Sequence, residues 1–95
     1  MNLAFTDEAM EDLEEIRLFL IEAEVANYRE IVNDLIACTE KLLIFPGLGV
    51  PVVDAPASDD IRDYFHKKHV LRYQITVDVI FVLRIWHQKE NERNE

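Results

Sequence analysis

The chain has one cysteine, two glycines and three prolines among its 95 residues. A lone thiol, Cys38, cannot close an internal disulfide, so the fold must hold by packing and suits a reducing compartment. Cys38 itself reads as a small buried hydrophobe on a helix. Long apolar runs are also lacking. The longest, Leu42–Phe45 and Val79–Leu83, fall far short of the ~20 residues that cross a bilayer. The opening stretch, Met-Asn-Leu-Ala-Phe-Thr-Asp-Glu, has no basic region and turns acidic at once, so no secretory leader is expected. Basic residues are scarce: 10 Lys and Arg stand against 19 Asp and Glu, for a formal net charge of −9. Residues 1–60 carry −11 and residues 61–95 carry +2. Such a chain repels polyanions at long range, which excludes a large nucleic-acid footprint. A local basic surface in the second half is still allowed.

What is present is apolar periodicity. Hydrophobic residues make up 49% of the chain, enough for one modest core in one domain. Leu3 and Phe5 alternate with polar or small neighbours, as in a short first strand. Thr6 can cap the helix that follows, with Asp7 and Glu8 in its first turn. Ala9, Leu13, Ile16, Leu20 and Ala23 then mark one face of a helix over about 7–23. Glu11, Asp12, Glu14 and Glu15 read as its solvated side. Tyr28, Ile31, Val32, Leu35, Ile36, Thr39, Leu42 and Leu43 mark a second helix, stopped at Pro46-Gly47. Residues 46–60 hold every proline and glycine and form a long loop suited to contact-making. After it the period becomes two. Strands are expected at Ile61–Phe65, His69–Thr76 and Val79–His87, the last pair joined by a turn at Val77-Asp78. In Val79–His87, Phe81, Leu83 and Ile85 share one face. Ile80, Val82, Arg84 and Trp86 share the other. The expected fold class is α+β in the order β-α-α-β-β-β, with two antiparallel helices on a small, mainly antiparallel sheet. One domain spans 1–88, and 89–95 form a polar tail.

This order of motifs resembles the RelE/ParE toxin superfamily, and its ParE-like branch most. The resemblance rests on Ala9-x-x-Asp12-Leu13-x-x-Ile16, Leu42-x-x-x-Pro46-x-x-Gly49, Ile61-Arg62, Tyr73-x-Ile75 and a final apolar strand ending in His87. It covers residues 3–88. It implies the toxin of a type II toxin–antitoxin system, serving plasmid stabilisation and located in the cytoplasm. Such a toxin works by protein–protein contact, inhibits DNA gyrase, and is neutralised in a hetero-oligomer with a cognate antitoxin. No cofactor, metal, membrane or direct nucleic-acid partner is implied.

The RelE branch instead cuts messenger RNA on the ribosome, which takes cations for the phosphate and groups that move protons. Where that branch has arginines, this chain has Val70 and Gln88. Its lysine pair is matched at best by Asp60 and Arg62, and no tyrosine follows His87 as far as Glu95. A ribosome-dependent endoribonuclease is therefore the alternative, as is a non-toxic member that keeps only antitoxin binding. For target contact, the types that anchor interfaces point to Arg62, Tyr64, Arg72, Arg84, Trp86 and His87 on an exposed sheet face. For antitoxin contact the candidates are Leu18, Phe19, Ile21 and Ile44, apolar residues off the main helix stripes. His66-x-x-His69 lacks a third ligand for a metal. Gly47-x-Gly49 follows a helix and reads as a helix stop, not a phosphate cradle.

Overall fold

A computed structural model describes residues 1–56 and 59–89. Residues 90–95, most of the expected tail, lie outside that range. Strand β1 (Asn2–Phe5) leads into helix α1 (Asp7–Glu22), then α2 (Tyr28–Ile44), a short β2 (Val50–Pro51), and β3 (Asp60–His66), β4 (His69–Ile75) and β5 (Val79–His87). The sheet order is β1-β5-β4-β3-β2. β1 runs parallel to β5, and every other pairing is antiparallel. Both helices pack on one face of this mixed sheet.

Local chemistry explains the element ends. The Thr6 hydroxyl oxygen accepts from Ala9 N at 3.1 Å, capping α1. The same hydroxyl donates to Leu83 O at 2.9 Å, which ties the cap to β5. α1 and α2 are joined through Glu24, whose φ of 58° is the left-handed conformation of a tight helix stop. The core is Ala9, Leu35, Cys38 and Leu42 from the helices against Leu71, Tyr73, Ile80, Val82 and Ile85 from the sheet. Cys38 is buried and free, with its thiol pKa pushed up by burial.

Three expectations need correction. The loop at 46–60 is not featureless. Pro46–Leu48 forms a 3-10 turn, and Val50–Pro51 pairs with Asp63 and Arg62 at the sheet edge. The faces of β5 are not those of strict alternation. Arg72 pairs with Arg84 but Tyr73 pairs with Val82, so Leu83 is an extra residue in β5. That bulge lets Ile80, Val82 and Ile85 all face the helices. Lastly, Asp12 is not on the solvated side of α1. It is 8% exposed and bonded to β5.

Tyr73 explains why the proline–glycine motif and the tyrosine strand occur together. Its hydroxyl donates to Pro46 O at 2.6 Å and accepts from Gly49 N at 2.8 Å. A Cβ on Gly49 would lie 2.7 Å from that hydroxyl and 2.8 Å from the ring, so only glycine fits. The backbone there is ordinary; close approach is what demands the residue. Among the described residues, no helix is long and apolar enough to cross a membrane.

Candidate functional site

β1 pairs only with Val79–Val82, so the outer edge of β5 beyond Val82 has no strand beside it. α1 closes the start of that edge. Asp12 accepts from Ile85 N at 2.9 Å, taking the place of a neighbouring strand's carbonyl. Its carboxylate also receives Arg84 Nε at 2.7 Å and Nη2 at 3.1 Å. Carboxylate bonding holds the Arg84 pKa above its ordinary value.

Past this clamp, an open groove of about 1080 Å³ lies between the helix hairpin and the end of the sheet. Ile16, Phe19, Leu20 and Leu35 give it an apolar helical wall. His66 to His69, Arg84 to His87, and Lys89 form the other bank. All three histidines of the chain collect here. His66 Nε2 lies 2.7 Å from Asp34 Oδ2, and Lys67 Nζ lies 2.9 Å from the same oxygen. The bonds from His66 and Lys67 pull the Asp34 carboxyl down to about 2. His69 packs edge-on against His87, ring centroids 5.4 Å apart. Burial, then the neighbouring histidines, lower His69 to about 4, so it is neutral at pH 7. Among the described residues, no three His, Cys, Asp or Glu side chains come together as metal ligands.

The six residues expected on one exposed sheet face are split. Arg72 and Trp86 share the face away from the helices, the guanidinium 5.1 Å from the indole centroid. Arg72 also pairs with Asp63 through two bonds of 2.8 and 2.9 Å, which raises its pKa. Trp86 lies opposite Val70, and its Nε1 is buried without an acceptor among the described residues. Arg84 and His87 line the groove. Arg62 and Tyr64, by contrast, stand opposite Tyr73 and Leu71, on the side turned to the helices. Tyr64 packs on the core, while Arg62 bonds Asp60 and Gly49 O. The reason is register: Arg62 and Tyr64 are in phase with the buried Leu71 and Tyr73.

The four apolar candidates are all exposed, Phe19 at 67% and Ile44 at 71%. They are not a broader core. Leu18, Phe19 and Ile21 cluster near the α1–α2 turn, and Phe19 enters the groove. Ile44 ends α2 at the other end of the hairpin, separated by the ~25 Å length of a 17-residue helix. Asp12, Tyr73 and Gly49 were missed as key positions. The signal was there, since each occupies a fixed place in a motif.

The chain matches the family model described as ParE toxin of type II toxin-antitoxin system, parDE, over residues 3–92. It belongs to the ParE toxin family. No curated protein sequence matches it at a significant level. Among solved structures, it is similar to a chain titled "Chromosomal ParDE TA system from P. aeruginosa", with a TM-score of 0.74 and 21% identity. The match covers 92% of this chain and 95% of that one. At that identity the likeness speaks for the fold, and the fold is the ParE-like one. In this chain the Asp12 of Ala9-x-x-Asp12 clamps the free edge of β5, and Pro46-x-x-Gly49 is clasped by Tyr73. Membership implies an antitoxin partner.

Proposed function

We propose that this ParE-family protein is a cytoplasmic toxin that inhibits DNA gyrase through protein–protein contact and is neutralised by its cognate antitoxin. The observation that carries the reading is the state of the arginines. Arg72 and Arg84 are each held by a carboxylate through two bonds, and Arg62 is bonded to Asp60. A phosphodiester-cleaving site needs cations aimed at the scissile phosphate. Here they are tied to carboxylates of the fold itself. The same side chains suit an interface. Arg72 stacked on Trp86 offers a rigid anchor of the kind that dominates binding, and these two are the core of the target surface. Arg84 and His87 extend it toward the groove, and Arg62 and Tyr64 support it from the helix side.

The antitoxin covers the exposed Leu18, Phe19 and Ile21 and enters the groove beside Phe19. To reach Ile44 as well, it must run the length of the hairpin. Inducing the protein without antitoxin should arrest growth and trigger a DNA-damage response with messenger RNA intact. Unimpaired growth would leave only an antitoxin-binding protein. Rapid ribosome-dependent loss of messenger RNA would support the nuclease reading instead.

A further inference from the structure

The groove has two unlike banks. The helical wall is mainly apolar; of its carboxylates Asp12 is held by Arg84 and Asp34 by His66 and Lys67, and Glu15 stands beside them. The opposite bank carries Lys67, Lys68 and Lys89, all exposed. Among the described residues only Lys67 has a carboxylate partner, Asp34, and that carboxylate is shared with His66. The lysine bank therefore keeps a positive excess, although the chain as a whole is −9.

The bank is also built rigidly. Lys67 has a φ of 54°, a left-handed conformation uncommon for a non-glycine residue. The turn that holds it there is fixed on both sides. His66 and Lys67 are latched to α2 through Asp34. Gln88 N donates to Lys68 O at 2.9 Å, and Gln88 Nε2 donates to Lys67 O at 3.1 Å. Two lysines are thus presented by a turn that loses little freedom when a partner arrives. A two-turn helical segment, about 10 Å across and 11 Å long, fills roughly 850 Å³. The groove can hold one.

Resting on the reading of this groove as the antitoxin's docking surface, we propose that its occupant is an amphipathic segment with an acidic flank. Its apolar side lies on Ile16, Phe19 and Leu35. Its carboxylates lie along Lys67, Lys68 and Lys89. An acidic segment approaches against the net field of the toxin, so the local lysines must direct it.

The test is a titration of the full chain with its cognate antitoxin, at 50 and 500 mM salt. The contribution of the three lysines to affinity should fall as salt rises, because their attraction at the groove is screened. A wild-type advantage over a variant with the three lysines reversed that does not shrink at 500 mM salt would overturn the proposal. The triple variant Lys67→Glu/Lys68→Glu/Lys89→Glu, checked for folding by its melting curve, should bind roughly 10- to 100-fold more weakly at low salt. Lys41→Glu, outside the groove, should bind as wild type. Equal binding by the triple variant and wild type would overturn the acidic flank but leave the toxin–antitoxin reading standing. No binding by wild type at either salt would overturn both.

Discussion

Asp12 offers the sharpest perturbation of the architecture. It is 8% exposed and serves two partners of unequal worth. Ile85 N–H is a backbone donor on a strand edge with no strand beside it, and its bond to Asp12 is buried. Stranding such a donor costs about 1–3 kcal/mol. The Arg84 pair is different. Its side chain is 57% exposed, so screening leaves the pair about 0–1 kcal/mol. Asp12→Ala should therefore cost about 2–3 kcal/mol, a fall in Tm of roughly 10–20 °C for a domain of this size. Asp12→Asn keeps an oxygen for Ile85 N–H and should cost about 1 kcal/mol. Arg84→Ala should cost no more than about 1 kcal/mol. Urea unfolding of the three variants reads these values directly. If Arg84→Ala proved as damaging as Asp12→Ala, the ion pair and not the capped strand edge would be the source, and the reasoning would fail.

Other outcomes follow from the same contacts. Gly49→Ala should cost about 1–3 kcal/mol from the clash with Tyr73, whereas Gly47→Ala, with nothing within 4 Å of its Cβ, should stay within about 0.5 kcal/mol in the same unfolding assay. Tyr73→Phe strands Gly49 N and frees Pro46 O, so about 1–3 kcal/mol should be lost, with hydrogen exchange at Gly49 accelerating. His69 is depressed in the folded chain to about 4, so the unfolded chain binds the extra proton on acidification. Stability should then decline as pH falls from about 6.5 to about 4, and His69→Gln should flatten that slope. Asp34 is depressed to about 2, so the stability it contributes is full above its ordinary pKa near 4. It should be lost as pH falls from there toward 2, and His66→Gln should weaken that dependence.

Much of the fold was legible because its signals are periodic. The stripe through Ala9, Leu13 and Ile16 and the one through Leu35 and Leu42 place both helices within a residue or two of their observed ends. What periodicity could not show is a single inserted residue. Leu83 shifts β5 by one, so Ile80, Val82 and Ile85 meet on one side where alternation divides them. Nor could it single out Asp12, which sits in a run of carboxylates identical in kind. Its place in Ala9-x-x-Asp12 marks it, and the unpaired end of β5, a tertiary fact, gives it its role. β2 was hidden because Val50-Pro51 looks like loop, and proline is tolerated there at the sheet edge. Sequence pattern placed the candidate residues on their elements but could not group them. Arg72 and Trp86 do meet, and Phe19 joins Arg84 and His87 along one groove. Arg62 and Tyr64 turn inward because they share the register of Leu71 and Tyr73.

The central claim is that a ParE-family fold with its arginines tied to carboxylates disables gyrase by binding it. The direct measurement is a supercoiling reaction with purified gyrase, relaxed plasmid and stoichiometric protein. Supercoiling should stop and cleaved gyrase–DNA complex should accumulate, both reversed by the antitoxin. Full supercoiling with no cleaved complex would contradict the account.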